Sequence, residues 1–415
     1  MAQGLAPAVA SVYHGVNPDH QGGTVANISQ DVEALRSAMV EQRRDFHRHP
    51  ELGFQETRTA GIVAKRLTQL GYQVRTGLGK TGVTGFLRGG RPGKTVLLRA
   101  DIDALPIQEQ TGAPYRSEAP GAMHACGHDA HTAMALAAAQ ILAAHTGSIA
   151  GNLCLVFQPA EELLTGAEAF LKDGGLEGVR PDVGFAIHVV NRLPAGTIAV
   201  RSGPVMTSAD KLTITVTGRG GHGANPHHAV DPVVASAQII TALQTLVSRE
   251  TPPLETAVLS LTTLRAGTAF NIIPDSVEMG GTFRCFQATL RDALLASLRR
   301  TAEGLAAALR CTAQVTNQFL TPAVVNDPSA VALARAAASD VVGDEYVTEW
   351  EPMTGSDDLA YFWQQFPGCY AFVGSGHPDG TASPAGHNAR FDIDESALAI
   401  GAELLVRAAR RALAA

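Results

Sequence analysis

The sequence predicts an α/β fold: a discontinuous host domain on a mixed sheet covered by helices, with an inserted ferredoxin-like α+β domain. Three observations predict it. Short runs rich in Val, Ile and Leu alternate with helical patterns rich in Ala and Leu, as in KTVLLRAD (94–101), NLCLVFQP (152–159) and DVGFAIHVV (182–190). Continuous apolar runs separated by helices belong in a sheet with both faces covered. After Val200 the pattern changes to a compact strand and helix series of its own. Finally, 415 residues, 45% hydrophobic and 17% charged, exceed what one ordinary core encloses, and predict two domains.

The elements follow in order. The N-terminal stretch MAQGLAPAVASVYHGVNPDHQGG has no basic start and no sustained apolar core, so it reads as a loose extension (1–28) and not as a secretory signal. A helix is predicted from about Gly127 to His145; its most apolar part, Ala133 to Ala144, is broken by Gln140 and is too short to span a bilayer. LTITVTG (212–218) reads as a strand and 231–250 as a helix, with Asp231 as its cap and Pro232 at its first position. Two strands (257–267 and 276–286), a second amphipathic helix (290–310) and a last strand (312–319) complete the order β-α-β-β-α-β. The ends of such a unit lie close together, so it can be inserted into a host. The chain then resumes helix and strand alternation and closes on an amphipathic helix from about Asp394. The expected host domain is 29–198 plus 318–415, and the insert 199–317.

Charge and cysteines narrow the function. A formal net charge of -7 gives no electrostatic reason for a nucleic-acid partner or an anionic membrane surface. The five cysteines, Cys126, Cys154, Cys285, Cys311 and Cys369, are odd in number and have no CxxC spacing. That predicts free thiols and a cytoplasmic location.

The chemistry concentrates in MHACGHDAH (123–131), at a strand-to-helix junction. Cys126 and His128, two apart, can be aimed at one ion, and their donor types suit Zn, Mn, Co or Ni. One Cys or one His alone would be an ordinary buried residue; the packing of both beside further imidazoles favours a metal site. In QPAEELLTGA (158–167), Glu161 and Glu162 follow a strand, where α/β folds place their sites. One can ligate while the other handles protons; alone, the pair also fits the acidic first turn of a helix. His188, in the buried run GFAIHVV, is a third ligand candidate at the same edge. His387 lies in the polar loop SPAGHNARFDIDE and by itself reads as a surface histidine. Asp101 and Asp103, in RADIDALP (99–106), end another strand and are read as partners that orient a ligating histidine.

These pieces, with RRDFHRHPELGFQE (43–56), GRGGHGANPH and FNIIPDSVEMGGTFR, occur in the order seen in one family of two-metal metallopeptidases. The chain from about Ile28 onward resembles that family, which holds hippurate hydrolase, N-acyl-amino-acid and auxin-conjugate amidohydrolases and related carboxypeptidases. The resemblance implies two divalent ions per subunit, Zn or Mn with Co or Ni as alternatives, on Cys126, His128, Glu162, His188 and His387. It implies Glu161 as general base. It implies substrate contacts at His222, Asn271 and Arg284, with His222 reaching a partner subunit's active site in a homodimer formed through the insert. The implied substrate is an N-acyl amino acid. A carboxypeptidase or dipeptidase acting on short peptides, and a catalytically silent metal-binding dimer, are the competing readings. The chain departs from the family at Leu163 and Leu164, where glycines are common, and at Ser356-Asp357-Asp358-Leu359, where Ser-Glu-Asp-Phe is common. Asp357 and Leu359 are therefore expected to reshape the acyl pocket.

Overall fold

The computed structural model describes residues 26–377 and 383–415. Most of the expected extension, residues 1–25, lies outside the described residues.

The host domain is built on an eight-stranded sheet. Its strands run in the order Gln73–Leu78, Gly82–Arg88, Ala150–Gln158, Arg91–Asp101, Val183–Pro194, Gly368–Gly376, Ile198–Ala199, Val347–Thr348. The four long central strands pair in parallel, and the first two strands are antiparallel, so the sheet is mixed. Side chains alternate between faces along each strand. Val96, Leu98, Leu153, Leu155, Phe185, Ile187, Ala371 and Val373 join one apolar cluster, with the helices His128–Ala144, Pro328–Val342 and Ala397–Ala414. Leu97, Cys154, Val156, Ala186, Tyr370 and Phe372 join another, with Phe170 and Phe362. Both faces are covered, which is why these strands read as continuous apolar runs.

The insert has its own sheet and core. Strands Ala257–Ala266, Ser276–Cys285, Ser208–Thr217 and Thr312–Thr321 lie in that spatial order, each antiparallel to its neighbour. Helices Pro232–Thr245 and Ala288–Ala308 pack with the sheet around Leu212, Ile214, Ile239, Leu243, Met279, Phe283 and Leu298. This is the expected ferredoxin-like order. Asp231 caps the first helix by accepting from the Val233 and Val234 amides. That helix ends at Thr245 and finishes in a wider turn over Leu246–Glu250, five residues short of the regular helix expected. Where the chain enters and leaves the insert, Gly203–Met206 pairs with Val324–Asn326. Among the described residues no helix is long and apolar enough to cross a membrane.

Candidate metal centre and active site

Strand register brings the site together. Asp101 pairs with Gln158, and Arg99 with Ala186, so Asp101 and His188 each stand two residues further along neighbouring parallel strands. The loops after these strands carry Asp103, Glu161 and Glu162. Above them, the helix His128–Ala144 begins at Gly127, whose φ of +85° favours glycine and where a Cβ would lie 2.4 Å from Val189. This tight turn sets Cys126 and His128 over the sheet edge.

The ligand atoms converge. Cys126, His128 and His188 form one group whose ligand atoms lie within 4.8 Å of one another; Cys126, Glu162 and His387 form a second; His128, Glu161 and Glu162 a third. Cys126 Sγ is 3.4 Å from His188 Nε2, and His387 Nε2 is 3.4 Å from Glu162 Oε2. His188 Nδ1 donates to the Val189 carbonyl at 2.7 Å, which leaves Nε2 free to ligate. His128 Nδ1 faces the Asp103 carbonyl at 3.0 Å and its carboxylate at 3.2 Å. Among the described residues, its other nitrogen, Nε2, is buried without a hydrogen-bond partner, as is Glu162 Oε1, and the two are 3.9 Å apart. Buried polar atoms are seldom left unpaired. A soft and borderline donor set around two such atoms fits divalent ions.

The electrostatics agree with that fit. Burial, then the Glu162 charge, push the Cys126 thiol up to about 12. The thiolate is the form that attacks and also the form that ligates, so Cys126 is unsuited to attack by itself, and a bound cation would supply the charge that stabilises its thiolate. Burial and the neighbouring His131 press His188 down to about 3, keeping its ring neutral. Burial opposes charge on His128, but the Asp101 carboxylate and the Asp103 bond hold its pKa well above the ordinary histidine range. A cation at Nε2 would take the place of that proton. For Glu162, burial raises the carboxyl, but the His387 bond and the His128 charge more than offset it. Glu161 behaves oppositely: burial, then the Asp357 and Glu162 charges, push its carboxyl well above the usual range.

Asp103 and Asp101 have different tasks. Asp103 holds His128 and also accepts the Glu162 amide at 3.0 Å. Asp101 orients His131, which donates to it through Nδ1 at 2.6 Å and accepts the Val189 amide through Nε2 at 2.9 Å. Both nitrogens of His131 are thereby used, although it sits among the metal-binding groups. Sequence reading left His131 without a role, and also missed Arg99. Arg99 is buried and joins Asp101 (2.7 Å), Gln158 (2.8 Å) and Asp357 (2.9 Å). The signal for His131 was its position three residues after His128, on one helix face.

The departures from the family pattern sit mostly in the interior. Asp357, bonded to Arg99 and to the Tyr370 hydroxyl at 2.8 Å, is buried, and Leu359 is fully buried in the core. Leu164 has φ of +54°, a conformation that glycine adopts freely and that costs another residue roughly 1–2 kcal/mol. Leu163 beside it is 52% exposed.

The three residues on the insert stand apart from this cluster. His222 is exposed and pairs with Ile272 across two short strands; its Nδ1 accepts the Ala224 amide, and the Asn271 carbonyl accepts the Gly223 amide. Among the described residues neither bonds to the metal-binding groups. Arg284 projects from its strand to Ser356 Oγ (2.9 Å) and the Thr354 carbonyl (3.4 Å), in the host loop that leads to Asp357.

Comparisons agree with this geometry. Residues 97–411 match the model of peptidase family M20/M25/M40. The N-acetylcysteine deacetylase of Bacillus subtilis (strain 168) is 39% identical over 89% of this chain and 96% of its own length. Thermostable carboxypeptidase 1 of Saccharolobus solfataricus is 37% identical over 91% of this chain and 96% of its own. Among solved structures, the Bacillus subtilis YXEP protein, described as a dinuclear metal binding peptidase from the M20 family, superposes with a TM-score of 0.80. It is 35% identical and matches 92% of this chain and 99% of that one. With the host sheet, the ferredoxin-like insert and the Cys, His and Glu cluster all in place, the chain belongs to peptidase family M20/M25/M40.

Proposed function

We propose that this chain is a metal-dependent amidohydrolase that cleaves the amide bond of N-acyl amino acids, releasing a carboxylic acid and a free amino acid. The observation that carries the reading is a pair of buried atoms without a partner among the described residues, His128 Nε2 and Glu162 Oε1, beside a second carboxylate, Glu161. Cys126, His128, Glu162, His188 and His387 would hold two divalent ions, zinc or manganese foremost, with Asp101 and Asp103 orienting the rings. Such ions acidify water and polarise the scissile carbonyl. Glu161 takes the proton of the attacking water and returns it to the leaving nitrogen. A positive charge held near Glu162 would counter the upward shift on Glu161 and favour its carboxylate form. Arg284 holds the substrate carboxylate through its planar fork, aided by the Asn271 amide, and His222 steadies the developing oxyanion.

The insert, taken as 199–317, is the dimerisation and lid domain in this reading. Supporting this, Val234, Leu264, Phe270 and Ile272 are exposed on it, with Phe270 and Ile272 flanking Asn271 close to His222. Exposed apolar groups clustered in this way mark association surfaces. The five cysteines are all unpaired, in keeping with a reducing cytoplasm.

The test is a panel of N-acyl amino acids and matched dipeptides, followed by mass spectrometry after separate loading with Mn, Zn, Co and Ni. Cleavage of the acyl amide in N-acyl amino acids is the expected result. Turnover of peptides alone establishes the carboxypeptidase or dipeptidase reading instead. No turnover of any amide with any metal leaves a silent metal-binding dimer.

A further inference from the structure

The segment 43–56 touches three of the loops that build the site, yet supplies none of the groups assigned above. It leaves the helix Arg36–Arg48, turns, and leads into the helix Thr57–Gln69. Its first grip is on Asp129, the residue after His128: Arg43 Nε and His47 Nδ1 each donate to Asp129 Oδ2 at 2.8 Å. The second is on Ala104, the residue after Asp103: its amide donates to the Glu51 carbonyl at 2.8 Å, and Leu52 bridges to it in parallel. The third is on Ala160, the residue before Glu161. The Glu56 carboxylate, fully buried, accepts the Ala160 amide at 2.8 Å and the Thr81 hydroxyl at 2.5 Å.

The third grip bears on a strained part of the site. Ala160 has φ of +51° and Leu164 φ of +54°, so the turn carrying Glu161 and Glu162 is bounded by two non-glycine residues in the left-handed region. Such a turn persists only where surrounding groups hold it. The bond from the Ala160 amide is buried, and a buried amide left without an acceptor is costly, so it ties the turn to Glu56. Gly53 closes the turn from outside: a Cβ there would lie 3.1 Å from both Ala160 Cβ and Leu163 Cδ1. Because the same segment also fixes the His128 and Asp103 loops, Glu56 sets the Glu161–Glu162 turn relative to both.

We propose that Glu56 is a positioning residue: through Ala160 it places the Glu162 and Glu161 carboxylates against the groups on the other two loops. What is being positioned rests on the metal-centre reading above. A purely structural role would lower the melting temperature and leave the metal environment of the folded protein unchanged. The two are separated with the full-length protein loaded with cobalt, by chelator competition for affinity and by visible absorption for ligand geometry.

Glu56→Ala is expected to weaken at least one cobalt ion by about 10–100-fold, the usual effect of losing an outer partner of a metal site, and to shift the ligand-field bands. Glu56→Gln is expected to stay within about 3-fold, since one amide oxygen can still accept from Ala160 and the amide NH₂ can donate to Thr81. Gly53→Ala presses on the turn without removing a hydrogen bond, and is expected to weaken cobalt by about 3–10-fold, a smaller displacement of the same kind. Wild-type affinity and spectrum in folded Glu56→Ala and Gly53→Ala overturn the proposal. If Glu56→Ala does not fold, Gly53→Ala decides alone: weakened cobalt supports the proposal and unchanged cobalt overturns it. Equal losses in Glu56→Gln and Glu56→Ala also overturn it, because the bond to Ala160 would then not be what matters. A wild-type protein that binds no cobalt, zinc or manganese removes the metal-centre reading itself, and this inference with it.

Discussion

Glu161 and Glu162 are adjacent and chemically identical, and their surroundings assign them different work. Against its burial, Glu162 is pulled toward the charged form by His387 and His128; Glu161 is pushed toward the protonated one by burial and then by Asp357 and Glu162. Pairs of carboxyl groups driven apart in this way commonly divide ligation from proton transfer. Glu161→Gln is therefore expected to keep its metal content, measured by elemental analysis, while losing about 10²–10⁴ in turnover, the usual share of a general base. Near-normal turnover in a metal-replete protein would remove Glu161 from the mechanism. Arg284 invites a second measurement. Burial lowers its pKa, and its partners are a hydroxyl and a carbonyl, so among the described residues its charge has no carboxylate to answer it. Arg284→Ala is expected to cost substrates with a free α-carboxylate roughly 10–100-fold in kcat/KM, a charge-assisted bond's worth, and to change their primary-amide counterparts little. Equal losses on both would make Arg284 structural. At this scale the residue types of the cluster were legible because Cys, His and Glu in short spacings are uncommon outside such sites. The task of His131 was not legible, because its partners Asp101 and Val189 lie 30 and 58 residues away in sequence.

Among the elements, those whose burial follows a clear period were legible. The helix expected over 290–310 runs Ala288–Ala308, and the strand expected over 312–319 runs Thr312–Thr321. Two-residue strands such as Ile198–Ala199 and Val347–Thr348 carry no period and could not be read. Helix against helix was also hidden, because alanine-rich faces look alike in sequence. The helices His128–Ala144 and Ala397–Ala414 approach so closely that a Cβ on Gly401 would lie 2.2 Å from Met134 Sδ and 2.9 Å from Ile187 Cδ1. Gly401→Val is accordingly expected to lower stability by about 1–3 kcal/mol in urea denaturation, as overpacked cores do. Adding Met134→Ala should recover part of the loss, since contacting sites are coupled. An unchanged midpoint for the single variant would show that the two helices have slack there. Because the helix His128–Ala144 follows directly from the Cys126–Gly127 turn at its N-terminal end, the packing also fixes where that turn can lie.

For the whole molecule, the order of secondary elements made the insert legible, whereas its relation to the active site was not, since no local pattern records how one domain faces another. Arg284 links the insert to the host loop 354–356, but His222 stays exposed and bonded only to its own surroundings among the described residues. A residue that serves the reaction from such a position needs either closure of the insert or a second subunit to reach the metal-binding groups. The exposed Phe270 and Ile272 beside it favour the second subunit. Subunit mixing separates the alternatives. His222→Ala and Glu161→Gln are each expected to be nearly inactive alone. If His222 acts across a two-fold dimer, equal mixing places one complete site in each heterodimer and returns about a quarter of wild-type activity under random pairing. Exchange is followed by native mass spectrometry with one variant isotopically labelled, so that the heterodimer fraction is known. Activity that rises in proportion to that fraction supports the shared site. Heterodimers that form and stay inactive show that His222 acts within its own chain, by closure of the insert, or not at all. A protein that is monomeric at assay concentration excludes the shared site outright.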